Sequence, residues 1–217
     1  MAAGALSLFA AAVLFVLILN GTVGGSGPTT IFVPTLEPRI EDFLTPEPTA
    51  GAPPSEAPIA ALAIPKFGVD APVITLGTDA NGVMESPDGP SEVAWYDFSV
   101  HPGFGSNAVF SGHVDYYNYG PAVFWNLRDL LADDVIEVRL EDGTVYQYSV
   151  ISREMVYAAT APLGEIVGDT PREVITLITC GGTFDGATYT YDQRLVVRAE
   201  RLYDEPPGSP SVDALFP

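Results

Sequence analysis

Glu173-Val-Ile-Thr-Leu-Ile-Thr-Cys180-Gly-Gly182 is the stretch from which the fold can be read. From Val174 to Thr179 every residue is β-branched or leucine, and no proline or charge interrupts the run. Such a segment is a buried strand, and the paired glycines behind it permit close backbone approach. Working outward, Thr144–Val156 and Arg194–Leu202 show the same β-rich character, as do Asn107–Val114, Ala71–Leu76 and Ile59–Ile64. Val135–Glu141 joins Thr144–Val156 across Asp142-Gly143, a hairpin-type turn. One helix is expected at Ala122–Leu131, where Val123, Leu127, Leu130 and Leu131 share a face behind Gly120-Pro121. Many short strands with one or two small helices predict an all-β barrel or sandwich over residues 59–203.

The flanks differ in kind. No charged side chain precedes Glu37, and Ala2–Leu19 is apolar apart from Gly4 and Ser7. Eighteen such residues in a helix reach roughly 27 Å, about the hydrocarbon thickness of a bilayer. A basic leader region and an Ala-x-Ala cleavage site are both missing, so residues 1–19 are expected to be an uncleaved membrane anchor instead of a removed signal. Residues 20–58 contain eight prolines among Gly, Thr, Ser and acids; they predict an extended linker. Residues 204–217 are again Pro-rich and acidic, and predict a flexible tail. The expected layout is a single-pass protein with an extracytoplasmic globular domain.

Composition excludes several function classes. The 217 residues carry a formal charge of −19, with 9 basic and 28 acidic side chains. A nucleic-acid partner needs phosphates neutralised by Lys and Arg, and this balance opposes it. A single cysteine excludes an intrachain disulfide and a Cys-rich zinc site. Two histidines, His101 and His113, leave little material for a His-based metal centre.

Three residues can still make one site. Cys180 ends the buried run; a lone cysteine is usually a small buried hydrophobe, but the strand end and Gly181-Gly182 favour access to its thiol. His113 closes Ala108-Val-Phe-Ser-Gly-His, another apolar strand, whereas His101 lies in a Val-His-Pro-Gly-Phe-Gly segment that reads as a solvent-exposed turn. His113 is therefore the expected base. Arg194 follows Cys180 by 14 residues, a spacing that lets a hairpin return it to the thiol, although charge alone favours a surface arginine paired with an acid. Together they make a coherent acyl-transfer site.

Ser111-Gly-His113-Val-Asp, Thr176-Leu-Ile-Thr-Cys180 and Arg194-Leu-Val-Val resemble the sortase family of cysteine transpeptidases, over about Ile59–Tyr203. Val123-Phe-Trp-Asn-Leu-Arg-Asp-Leu and Asp134-Val-Ile-Glu-Val resemble the family's helix and following strand. Ile-Thr-Cys-Gly-Gly-Thr-Phe-Asp and Ala-Val-Phe-Ser-Gly-His-Val-Asp are closest to class F. The resemblance implies an eight-stranded barrel with its site at one rim. Cys180 would attack the carbonyl after Thr in a Leu-Pro-x-Thr-Gly-like sorting signal, forming a thioacyl-enzyme that an amine resolves. That amine would come from a peptidoglycan precursor or a pilin lysine. His113 would serve as acid and then base, and Arg194, helped by Thr179, would stabilise the oxyanion. Tyr157–Pro171 would carry a substrate loop and short helix, with Ala161, Pro162, Leu163 and Ile166 lining an apolar groove. The calcium-binding acid cluster of some class A enzymes is not recognisable, so neither a metal nor another cofactor is expected. A monomer is expected.

Three other readings compete. L,D-transpeptidases place their cysteine in Ser-x-Gly-Cys-x-Arg, unlike Ile-Thr-Cys-Gly-Gly here. An inactive surface binding barrel would not need the Cys, His and Arg set. A sortase-like endopeptidase with water as acceptor remains compatible with the same residues.

Overall fold

The computed structural model describes residues 53–203. The proposed anchor, the tail and all but the last six residues of the linker lie outside them. No helix among the described residues is long and apolar enough to cross a membrane.

Ten strands occur in chain order: β1 (Ile59–Ile64), β2 (Val69–Leu76), β3 (Val93–Tyr96), β4 (Asn107–Ser111), β5 (Asp115–Tyr116), β6 (Gly120–Pro121), β7 (Val135–Leu140), β8 (Val145–Tyr157), β9 (Val174–Asp185) and β10 (Thr190–Leu202). Eight close into a barrel in the order β1-β2-β3-β4-β9-β10-β8-β7, with β7 returning to β1. β5 and β6 form a separate small hairpin. The β2–β3 and β4–β9 pairs are parallel, and the other barrel pairs are antiparallel. The expected barrel is therefore present, and β3 is a strand that local patterning did not announce.

The core follows the period-two rule of strands. β7 alternates partly and fully buried positions, and its Ile136, Val138 and Leu140 pack inward against Tyr148, Val150, Ile175, Leu177 and Val197. A smaller cluster lies on the other face of β3, β4 and β9, where Ala94, Tyr96 and Val109 pack with Leu76, Val167 and Ile178. That second layer explains why the β9 run is apolar without alternation: both of its faces are covered.

Ala122–Leu131 is not an α-helix. It forms a 3-10 helix at Trp125–Asp129, with Trp125 N–H donating to Ala122 O at 3.0 Å and Leu130 N–H to Leu127 O at 3.2 Å. Arg153 of β8 donates to the carbonyls of Arg128 and Leu130, meeting acceptors that a continuing helix would have used internally. Phe124, Leu127 and Leu130 are buried in the barrel core, whereas Leu131, expected on the same face, is exposed. Beyond β8 the chain makes one 3-10 turn, Ala158–Thr160, and the five-residue α1 (Leu163–Val167).

Candidate active site

Cys180 is not the last residue of its strand. β9 runs on to Asp185 because β10 continues opposite it, while β4 stops with Ser111 beside Ile178. Cys180 thus stands past the end of β4, on a hairpin that projects beyond the barrel wall. It shares the face of Thr176 and Ile178, turned away from the core that holds Ile175 and Leu177. Arg194 is its direct cross-strand partner, so the two side chains leave the same face. Between Tyr191 and Gln193 the register slips by one residue. Gly182 occupies the bulge at φ +80, and a Cβ there would lie 2.2 Å from Asp192 Oδ1. This is a position only glycine fills without strain.

His113 is fixed by four hydrogen bonds on it and on Gly112, two of them to β9. Gly112 N–H donates to Ile178 O at 3.3 Å, and Gly112 O accepts from Thr179 Oγ1 at 2.7 Å. A Cβ on Gly112 would strike Val123 at 2.8 Å and Phe124 at 2.9 Å, so the strand can pass only as glycine. His113 O accepts from Phe124 N–H at 2.9 Å. Its ring Nε2 is 2.8 Å from Pro87 O. A carbonyl only accepts, so Nε2 carries the proton and Nδ1 is the nitrogen left for chemistry.

Cys180 and His113 line one open cleft of about 760 Å3 together with Val114, Asp115, Tyr116, Tyr117, Gly120, Phe184, Tyr189 and Tyr191. Burial raises the thiol's pKa, the Arg194 guanidinium opposes that shift, and the Asp115 carboxylate adds to it; the net direction is upward. At rest Cys180 is therefore a neutral thiol at neutral pH. Arg194 also donates from Nη1 to Tyr191 O at 2.9 Å and Gln193 O at 2.8 Å, which holds the guanidinium against its own strand.

His101 sits at the other end of β4. Its ring packs edge-on to Trp95 and Phe104, at centroid distances of 5.5 and 5.8 Å, and its Nε2 is buried. The expected exposed turn is thus a half-buried aromatic nest, because the Val100–Asn107 backbone bond folds the loop over it. Thr179 is 3% exposed and faces the interior; its hydroxyl is committed to Gly112 O, so it props the His113 segment and does not open onto the cleft. Ala161, Pro162, Leu163 and Ile166 do not line the cleft either. Pro162 and Leu163 are exposed, while Ile166 is buried, contrary to its expected place on a groove wall. Asn107 anchors this segment, donating from Nδ2 to Ile166 O and Gly168 O, both at 3.0 Å, while its Oδ1 accepts from Thr176.

Two cleft residues had no role in the sequence reading. Tyr191 donates to Asp115 Oδ2 at 2.5 Å, joining β10 to β5. Asp115 was visible two residues after His113, and the Asp185-Gly186 pair was a hairpin signal that would have extended β10 back to Tyr191. Among the described residues, no group of three or more His, Cys, Asp or Glu side chains is arranged to hold a metal.

Thiol and imidazole on one cleft, with a guanidinium across the strand pair, define a cysteine acyl-transfer protein built on a closed β-barrel. Residues 62–202 match the Sortase domain family, and the chain belongs to that family of cysteine transpeptidases. Among solved structures it is similar to sortase A from Corynebacterium diphtheriae (a lid mutant), with 28% identity, a TM-score of 0.52 and coverage of 71% of this chain and 75% of that one. It is also similar to sortase C-1 from Actinomyces oris, with 25% identity, a TM-score of 0.51 and coverage of 68% and 74%. A Clostridium perfringens sortase D5 transpeptidase shares the fold at 18% identity, with a TM-score of 0.50 over 67% and 79%. No curated protein sequence matches at a significant level.

Proposed function

We propose that this chain is a class F-type sortase, anchored in the membrane by residues 1–19 with its barrel outside the cytoplasm. It cleaves a Leu-Pro-x-Thr-Gly-like signal and transfers the new carboxyl end to an amine of the cell envelope. The observation that carries this reading is the shared cleft of Cys180 and His113 with Arg194 directly opposite the thiol. Cys180 Sγ attacks the carbonyl after threonine while its proton passes to His113 Nδ1. The Arg194 guanidinium takes the developing oxyanion, and His113 returns the proton to the leaving glycine amine. An incoming amine then reverses these roles, and Cys180 leaves as the acyl group departs. Class F membership rests on the Ile-Thr-Cys-Gly-Gly-Thr-Phe-Asp segment.

The test is incubation of the full-length chain with a sorting-signal peptide and a glycyl or diamino acceptor. A thioacyl adduct on Cys180 by intact mass, and a transpeptidation product lost in Cys180→Ala and His113→Ala, are expected. Product that survives Cys180→Ala, or that depends on His101 instead of His113, would overturn the assignment.

A further inference from the structure

The cleft wall contains a group that works against its own nucleophile. Asp115 raises the pKa of the Cys180 thiol, so its carboxylate disfavours the thiolate. Its Oδ2 accepts from Tyr191, but among the described residues its Oδ1 has no hydrogen-bond donor and the carboxylate no ion-pair partner. Arg128, the cation whose field reaches Tyr191, is instead stacked on Trp125 at 3.8 Å and bonded to Trp125 O. The cleft that Asp115 lines also carries aromatic rings that solvent contact alone does not favour: Tyr117 is 81% exposed and Tyr189 is 75% exposed, and Phe184 and Tyr116 line it too. A free carboxylate oxygen in an aromatic-lined cleft is chemistry that suits an ammonium group.

We propose that this cleft is the acceptor subsite, and that Asp115, which lines it together with Tyr116, Tyr117 and Tyr189, selects primary amines that carry positive charge and no neighbouring carboxylate. This rests on the sortase reading above and names its second substrate. The acceptor arrives as an ammonium ion and loses one proton to solvent. Its nitrogen attacks the thioester carbonyl, the C–N bond forms and the C–S bond breaks. Cys180 leaves as thiolate, and the second nitrogen proton passes to His113. An acceptor whose own carboxylate lies beside its amine meets the charge of Asp115 and is rejected. Tyr191 occupies Oδ2 through its bond and leaves Oδ1 as the free acceptor.

The experiment uses the full-length chain, a sorting-signal peptide and three acceptors: 1,5-diaminopentane, glycine amide and glycine. The reading is the change in each acceptor's kcat/KM between wild type and variant, in which intrinsic amine basicity cancels. Asp115→Asn is expected to narrow the preference for diamine and amide over glycine by about tenfold, the scale of one charge-assisted hydrogen bond. Tyr191→Phe keeps the carboxylate and is expected to keep most of that preference. An unchanged preference in Asp115→Asn, or an equal loss for all three acceptors, would overturn the proposal. Absence of the thioacyl adduct on Cys180 would overturn the sortase reading and this one together. A normal adduct without charge selection overturns this one alone.

Discussion

At Cys180 three environments compete, and their ranking decides how the thiol behaves. Burial comes first and favours the neutral form; Arg194 pulls the other way, and Asp115 reinforces burial. Arg194 is the sole favourable charge in that set, so removing it must raise the thiol pKa further, leaving less thiolate at any given pH. Arg194→Ala is therefore expected to move the pH profile of iodoacetamide labelling of Cys180 to higher pH. The same change removes the donor proposed above for the oxyanion and should lower kcat by on the order of 10²–10³-fold. Asp115→Asn should move the labelling profile the opposite way. A labelling profile unmoved by Arg194→Ala would mean that the guanidinium does not act on the thiol.

At the scale of elements, the β9–β10 hairpin does what neither strand could do alone: it sets Arg194 against Cys180. Its rigid point is the Gly182 bulge, which absorbs one extra residue and swings Phe184 and Tyr191 over the cleft. Alanine at 182 would need a left-handed conformation costing roughly 1–2 kcal/mol, besides displacing Asp192 and Gln193. Gly182→Ala is expected to lower the thermal midpoint by several degrees and to reduce turnover more than peptide binding. Equal kcat in the variant would show that the bulge is dispensable. The hairpin was only half legible in the sequence. The buried run to Cys180 was plain, but Thr183–Asp185 and Thr190–Gln193 carry polar residues on an exposed projection, so no hydrophobic pattern marks them as strand. β3 was missed for a different reason: its four residues, Val93–Tyr96, are three-quarters fully buried and pair in parallel with β2 across a long connection. Parallel neighbours far apart in the chain leave no local signature. The expected helix at Ala122–Leu131 placed Leu127 and Leu130 correctly in the core but not Leu131, and its geometry is 3-10, with Arg153 of a distant strand meeting its last carbonyls. Cys180, His113 and Arg194 were legible since each lies where an apolar run meets a polar or glycine boundary. Asp115 and Tyr191 were not, because their meaning comes from a contact across 76 residues.

Across the whole molecule the barrel has two unlike poles. Opposite the cleft, Glu173 is buried, accepting from Tyr148 at 2.7 Å and from Gly103 N–H at 3.0 Å, with Arg201 Nε 3.6 Å away. Arg201 lies over the rings of Tyr146, Tyr148 and Tyr203, at 4.5, 5.7 and 5.6 Å. Ser55 N–H donates to the hydroxyl of Tyr146 at 3.0 Å, so the entering chain is fastened to the cluster that also holds Tyr203. Both ends of the described chain are thus tied at one pole while the chemistry is at the other. Along β10 the Glu200 level is separated from Arg194 by roughly 20 Å at about 3.3 Å per residue. Removing one member of a buried charge pair strands the other, a loss of about 3–5 kcal/mol. Arg201 retains some solvent contact, which places Arg201→Ala at the lower end of that range. Effects at this separation with no shared partner are close to independent. Arg201→Ala should therefore shift the urea midpoint down by about 3 kcal/mol of stability with an unchanged m-value. Under conditions where the variant is folded, its kcat/KM should stay within about twofold of wild type. A variant that keeps its urea midpoint would show that the pole is not a clamp. One that stays folded but loses turnover would show that the two poles communicate through the strands joining them.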